Sequence, residues 1–170
     1  VYERFNKQQV GKGYALNFLL QQIRDAWGDE YFDGYFIFDA DNLLLPDYIS
    51  RMNEVFGEKY RIVTSYRNSK NYGDNWISAG YALWFLREAA FLNCPRFRLG
   101  ISCMVSGTGF LFSREIMLRH GGWPFHTLTE DIEFSAHNIV QGERIGYCGD
   151  AEFFDEQPTL FTQSWRQRTR

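Results

Sequence analysis

The chain has 170 residues, 45% of them hydrophobic and 23% charged, with a formal net charge of −3. That length suits one domain with a sizeable core, and an aromatic content of 18% excludes intrinsic disorder. Mixed, slightly acidic charge excludes a basic nucleic-acid-binding domain, and the absence of any period or biased run excludes collagen, coiled-coil and low-complexity readings.

Strand and helix patterns alternate along the chain, which predicts an α/β fold. Gly11-Lys12-Gly13 leads into a predicted helix over residues 14–27, with Leu16, Leu19, Leu20, Ile23 and Trp27 at helical spacing on one face. Residues 34–38 form a short continuous apolar run, the pattern of a strand buried on both faces of a mostly parallel sheet. That run stops abruptly at Asp39-Ala40-Asp41-Asn42. Pro46 suits the first turn of a helix whose apolar stripe is Ile49, Met52 and Phe56, with Gly57 as its stop.

Residues 61–66 read as a second strand and 67–75 as a polar loop. An aromatic-rich helix follows over 76–91, capped by Asp74 and broken by Cys94-Pro95. Its aromatics stand at helical spacing and read as core. Ser106-Gly107-Thr108-Gly109 opens a third strand over 110–112, and Ser113 caps a short helix ending at His120-Gly121-Gly122. Thr129 caps a helix over 130–141, with Gly142 just past its end. Residues 144–148 and 151–155 read as two short strands, and Pro158 opens a last helix. No linker interrupts the pattern, so residues 1–170 read as one domain.

Cys94, Cys103 and Cys148 are an odd set without a CxxC pair. They argue against a disulfide framework or a zinc ribbon, fit a reducing compartment, and read as buried small apolar residues. The longest apolar stretch, 79–92, is split by Arg87 and Glu88, so no segment is predicted to span a bilayer. His120, His126 and His137 show no metal-ligand spacing, and His120 reads as a partner for a helix C-terminus. Beginning at Val1 and stopping inside a predicted helix, the chain reads as a piece of a larger protein.

Four short stretches carry candidate chemistry. Asp39 and Asp41 stand at the C-terminal end of an apolar strand, where α/β sheets bind ligands. Their hard oxygen donors suit Mg²⁺ or Mn²⁺ bridged to a diphosphate; a solvated loop is the alternative. Thr129-Glu130-Asp131-Ile132-Glu133 places acids in a first helical turn, which the helix dipole favours by about 0.3–1 kcal/mol. A carboxylate there could also serve as a general base. Residues 157–170 hold three arginines and no acid, after eight acids and one arginine in 129–156. Arg166 and Arg170, with Gln163 and Gln167, share a helix face that reads either as a phosphate clamp or as a solvated helix end. Gly11-Lys12-Gly13 offers backbone N–H groups to an anion or is a plain turn, and it lacks the full P-loop pattern.

Taken together and in order, Gly11-Lys12-Gly13-Tyr14-Ala15-Leu16-Asn17, Asp39-Ala40-Asp41, Ser106-Gly107-Thr108-Gly109, Thr129-Glu130-Asp131 and Gln167-Arg168-Thr169-Arg170 resemble the family 2 glycosyltransferases of the membrane-associated, processive type. These are the relatives of cellulose, chitin and poly-N-acetylglucosamine synthases. The last stretch resembles that family's QxxRW box without its final Trp. The resemblance covers essentially the whole chain and implies a GT-A type nucleotide-diphospho-sugar transferase fold, truncated at both ends. Its first nucleotide-binding strand would precede Val1, and membrane helices would follow Arg170.

The same resemblance implies roles. Asp39 and Asp41 would hold Mg²⁺ or Mn²⁺ and the donor's ribose-diphosphate region, and Asp131 would deprotonate the acceptor hydroxyl. Gln167, Arg168 and Arg170 would stabilise the departing diphosphate, while Gly107, Thr108 and Glu130 would line the acceptor side. The implied partners are a nucleotide sugar, with UDP as the expected carrier, and a saccharide or lipid-linked acceptor. The implied location is the cytoplasmic face of the cell membrane, reached through segments outside this chain. Two other classes compete: a nucleotidyltransferase making nucleotide sugars, for which no Gly-rich pyrophosphorylase loop is seen, and a carbohydrate-binding module stacking sugars on its Trp and Tyr.

Overall fold

In the computed structural model, which describes residues 1–57 and 59–169, helix α1 (Lys12–Trp27) runs between Gly11 and Gly28. Leu20 is buried, and Leu16 and Ile23 pack against the core. Leu19 and Trp27 face outward, contrary to the five-residue stripe read from spacing. Trp27 rests instead on Tyr31 and Phe32 in the connection that follows, with ring centroids 4.8 and 6.3 Å away.

Strand β1 (Gly34–Ile37) and the two-residue β2 (Leu43–Leu44) flank the Asp39–Asn42 loop. Helix α2 (Tyr48–Val55) starts after Asp47, so its buried stripe is Tyr48 and Met52, and Ile49 is exposed. Strand β3 (Ile62–Ser69) runs into what read as loop. Helix α3 (Trp76–Leu86) is capped by Asn75 rather than Asp74. Asn75 Oδ1 accepts from the N–H groups of Ile77 and Ser78 at 2.9 and 3.2 Å, and Ser78 Oγ accepts from the Asn75 N–H at 3.2 Å.

Nothing breaks this helix at Cys94-Pro95. It continues through a π-helical segment, Arg87–Asn93, into helix α4 (Cys94–Arg98). Pro95 stands in the first turn of α4, a position that tolerates the missing N–H. Strand β4 (Phe110–Ser113) passes into helix α5 (Arg114–His120), where Ser113 Oγ accepts from Ile116 N–H and Gly121 takes the left-handed stop. Helix α6 (Glu130–Val140) follows, but Thr129 does not cap it through its side chain. Strand β5 (Ile145–Asp155) is one bulged strand where two were predicted, and helix α7 (Phe161–Arg168) ends the described chain.

The strands form one sheet in the order β1-β4-β3-β5-β2. Among the described residues only the β3–β5 pairing is parallel; β1–β4, β3–β4 and β2–β5 are antiparallel. The fold is α/β as the alternation predicts, with a mixed sheet in place of a mostly parallel one. Register is regular from Ile62↔Ile145 to Ser65↔Cys148, then jumps to Tyr66↔Glu152, so Gly149, Asp150 and Ala151 are extra.

Both sheet faces are buried. Tyr35, Ile37, Phe110 and Phe112 face α1, α5 and α6, together with Trp123, Phe125 and Phe134. Val63, Leu111 and Phe153 face α2 with Tyr48 and Met52. Continuous apolar strands follow from this two-sided burial. Cys103 and Cys148 are buried free thiols as expected; burial pushes the Cys103 thiol up to about 12 and raises Cys148 as well. His120 stands in the last turn of α5 with its Nε2 3.1 Å from Asn138 Oδ1, and burial lowers its pKa. Among the described residues, no helix is long and apolar enough to cross a membrane.

Candidate active site

Where β1 ends, the loop Asp39–Asn42 is held by a second loop, 106–109, that leads into β4. The Asp39 N–H donates to Thr108 Oγ1 at 2.9 Å and to Asn42 Oδ1 at 3.1 Å, and Thr108 Oγ1 in turn donates to Asn42 Oδ1. Gly109 N–H donates to the Ile37 carbonyl at 2.8 Å. Underneath, Tyr48 Oη and Ser65 Oγ both donate to the Gly109 carbonyl, at 3.1 and 2.7 Å. Thr108 is therefore buried with its hydroxyl spent on the aspartate loop. Asp39 and Asp41 remain exposed at the crevice rim.

Lys12, at the start of α1, joins these loops. Its Nζ lies 2.5 Å from Asp39 Oδ1 and donates to the Gly107 carbonyl at 2.6 Å. Sequence reasoning saw only backbone N–H groups in Gly11-Lys12-Gly13. The side chain's partners are 27 and 95 residues away, and the one available signal was a lysine between two glycines at a helix entry.

Asp131 approaches the same loop from α6. Gly107 has φ +67°, and a Cβ built there would stand 3.6 Å from Asp131 Oδ2, so this glycine brings backbone up to the carboxylate. Ser135, one turn on, fixes the approach: its Oγ donates to the Asp131 carbonyl at 2.8 Å and accepts from the buried Val105 N–H at 3.1 Å. Asp131 Oδ1 accepts from the Ile132 N–H at 2.9 Å. Burial pushes the neighbouring Glu130 carboxyl above its ordinary value, and the charges of Asp131 and Asp39 add to this while Lys12 opposes it.

The opposite wall belongs to β3, β5 and α7. A cleft of about 220 Å³ is lined by Asp39, Asp41, Arg67, Asp155, Gln157 and Gln167, among others. Arg67 lies 3.4 Å over the Phe85 ring, donates from Nε to Asp155 Oδ2 at 2.6 Å and from Nη1 to the Ser106 carbonyl at 3.2 Å. Buried Asp155 also accepts from Gln157 Nε2 at 2.5 Å. Ser106 Oγ donates to Glu88 on the π-helical turn at 3.2 Å, and burial raises the Glu88 carboxyl despite that bond and the nearby Arg67. Lys70 Nζ donates to the Asp41 carbonyl. None of Arg67, Lys70, Glu88, Asp155 or Gln157 stood out in the sequence, because each gains its meaning from a partner on another element.

The predicted basic stretch divides. Gln167 faces the cleft with the two aspartates. Arg168 turns to the outer side, where Nε donates to Tyr81 Oη at 3.1 Å and the guanidinium lies 4.9 Å from the ring. Arg166 is exposed, and Arg170 lies outside the described residues. Crevice chemistry is thus carboxylates on two sides, a lysine between them, and glutamine and arginine donors along the floor.

For a divalent cation, no cluster of three or more His, Cys, Asp or Glu side chains exists among the described residues. Asp39 and Asp41 still offer hard oxygens at an open rim. That donor set fits Mg²⁺ or Mn²⁺, which commonly take one or two carboxylates and complete their shell with phosphates and water. Asp39 is paired with Lys12, so a bound cation would share that carboxylate with the ammonium.

A family model described as "Glycosyltransferase like family 2" matches residues 4–170. The chain is also similar to the protein named "Probable glycosyltransferase YdaM" from Bacillus subtilis (strain 168), at 33% identity over 66 residues. That stretch is 39% of this chain and 16% of the relative, so the chain spans well under a fifth of the length of the protein it matches.

Proposed function

Because this chain belongs to the glycosyltransferase like family 2, we propose that it performs an inverting transfer of a sugar from a nucleoside-diphosphate donor to an acceptor hydroxyl. One observation carries the reading: Asp39 and Asp131, on separate elements, are gathered at the Gly107 loop, with Lys12 spanning Asp39 and the Gly107 carbonyl. An inverting displacement needs a base on the acceptor side and charge neutralisation at the leaving diphosphate. Asp131 takes the base role: its carboxylate accepts the acceptor's hydroxyl proton as the new C–O bond forms at the anomeric carbon. The anomeric C–O bond to the β-phosphate breaks, and its electron pair leaves on the nucleoside diphosphate.

Asp39 and Asp41 would hold Mg²⁺ or Mn²⁺, whose charge offsets that of the diphosphate. Gln167 would donate to phosphate oxygens from the cleft wall. Arg168 would join it only by leaving Tyr81, and Arg170 is assigned beside them by the motif. Gly107 and Glu130 line the acceptor side, with Thr108 acting from beneath as the anchor of the Asp39 loop. The resemblance to the processive enzymes supports a UDP-sugar donor, a saccharide or lipid-linked acceptor, polysaccharide or glycolipid synthesis, and a place at the cytoplasmic face of a membrane.

The test has two arms. UDP binding to this chain, followed by tryptophan fluorescence, should require Mn²⁺ and be lost in an Asp39→Asn/Asp41→Asn variant. In the whole protein containing this chain, Asp131→Asn should abolish sugar transfer and spare UDP binding. Metal-independent UDP binding that survives the double substitution would refute the donor site, and transfer surviving Asp131→Asn would refute the base.

A further inference from the structure

The π-helical segment Arg87–Asn93 touches, at two points, the stretch of chain that leads into the crevice loop. Near its end, the buried Asn93 pairs with the backbone of Met104: Nδ2 donates to the Met104 carbonyl and Oδ1 accepts from the Met104 N–H, both at 3.1 Å. Near its start, Glu88 Oε2 accepts from Ser106 Oγ at 3.2 Å. Residues 88 and 93 stand five apart. In an α-helix they would point about 140° away from each other, and one of them would miss that stretch. Hydrogen bonds from i to i+5 widen the turn and bring both to one side. The π-turn is what lets a single helical segment hold Met104 and Ser106 together.

Ser106 joins that segment to the loop. Its carbonyl accepts from Arg67 Nη1 at 3.2 Å on one side and from the Thr108 N–H at 2.7 Å on the other. The next two residues build the crevice: Gly107 brings backbone up to Asp131, and Thr108 Oγ1 accepts from the Asp39 N–H. A cavity of about 10 Å³, with room for at most one water molecule, gathers Arg67, Glu88, Asn93, Ser106 and Thr108 around it. These groups therefore face one another and leave no space for a ligand. Burial raises the Glu88 carboxyl, and the charge of Asp131 adds to that effect, so the base candidate and Glu88 feel each other across the loop.

We propose that Glu88 is a positioning residue for sugar transfer. Through Ser106 it fixes the loop that sets Gly107 against Asp131 and Thr108 beneath Asp39, and so aligns the base with the donor carboxylates while touching neither substrate. The role rests on the transferase reading of the crevice. It also gives the π-turn a purpose: placed between α3 and α4, it aims a carboxyl at Ser106.

The experiment has two arms, both comparing Glu88→Ala with Glu88→Gln. In this chain, amide hydrogen exchange read by nuclear magnetic resonance should speed up at Thr108 and Gly109 in Glu88→Ala. The expected gain is at least about tenfold relative to Val63 in β3, which reports global opening. Glu88→Gln keeps an acceptor for Ser106 and should stay within about threefold of the parent. In the whole protein containing this chain, kcat is measured with UDP-glucose or UDP-N-acetylglucosamine, whichever the parent turns over. It should fall at least about tenfold in Glu88→Ala and recover in Glu88→Gln, while the donor KM stays within about twofold. Ser106→Ala should reproduce the loss, and Glu88→Ala/Ser106→Ala should be little worse than either alone. Three results overturn the proposal: unchanged exchange at Thr108 and Gly109, an acceleration that Val63 shares in full, or a kcat untouched by Glu88→Ala while Asp131→Asn abolishes transfer. Transfer that survives Asp131→Asn refutes the transferase reading itself, and the role of Glu88 falls with it.

Discussion

Gly107 and Gly109 share a backbone angle, φ +67°, and differ in what surrounds them, which makes the pair a controlled test of how the crevice loop is built. Alanine at either position meets the left-handed penalty of about 1–2 kcal/mol for an L-residue. At Gly107 that is nearly all, because the new Cβ would sit 3.6 Å from Asp131 Oδ2, an ordinary contact. At Gly109 the Cβ would overlap the Phe153 ring, whose Cδ1 is 2.7 Å away with two other ring atoms closer still. Phe153 is fully buried between Phe38 and Tyr48, with ring centroids 6.4 and 6.2 Å away, and has no room to swing. Overpacking of that kind costs a further ~1–3 kcal/mol. Gly107→Ala should therefore lose about 1–2 kcal/mol and Gly109→Ala about 2–5. For a chain of this size that corresponds to thermal shifts of about 2–4 °C per kcal/mol. Urea unfolding followed by circular dichroism reads both. If the two variants unfold within a few tenths of a kcal/mol of each other, the Phe153 ring is not wedged beneath the loop and the steric reasoning fails.

Three further outcomes follow from the same contacts. Lys12→Met removes the ammonium shared by Asp39 and the Gly107 carbonyl; because the pair is partly solvated, the loss should be about 1–2 kcal/mol in urea unfolding. A Lys12→Met variant as stable as the parent would show the bridge to be idle. Ser135→Ala leaves the buried Val105 N–H without its acceptor and should cost about 1–3 kcal/mol, whereas Ser135→Thr, which keeps the hydroxyl, should recover part of it. Glu88 supplies a pH signature. Its folded pKa is raised above the ordinary 4.5 by burial, so the folded chain holds more protons than the unfolded one between 4.5 and that raised value. Its contribution to stability is then gained as pH falls through the folded value and lost as pH rises through it. Glu88→Gln keeps an acceptor for Ser106 and should flatten this dependence, gaining on the parent at pH 7 relative to pH 4.5. An unchanged stability difference across that range would refute the assignment.

How much of this was legible in the sequence depends on how far each interaction reaches. The strand before Asp39 could be read, because an apolar run meeting two carboxylates marks a strand leaving the core at a sheet's edge. Helices α5 and α6 could be read from Ser113, Gly121 and Gly142, all local signals. Continuation of α3 through Cys94-Pro95 could not, since proline forbids only a helix interior and the π-helical turn makes residue 95 a new beginning. Spacing also gave the aromatic stripe of α3 without saying which side a neighbour covers; reading it as core was wrong because the sheet meets the other side. Lys12, Arg67 and Glu88 stayed silent for a different reason. Their partners lie 18 to 95 residues away, and only the folded sheet sets them together.

The three extra residues in β5 exchange odd for even along the strand. Before Gly149 the side chain facing α2 is Cys148; beyond it, Ala151 and Phe153 face that way, and Asp155 shares their parity. Deleting one codon within 149–151 would therefore do more than shorten a bulge. It would turn Phe153 away from Gly109 and send Asp155 away from Arg67, dismantling the floor of the crevice from a site on the far side of the strand. Removing two codons would restore the parity. Natural length variation at this point should accordingly come in even steps, a bias that a deletion series scored by folding yield would reveal.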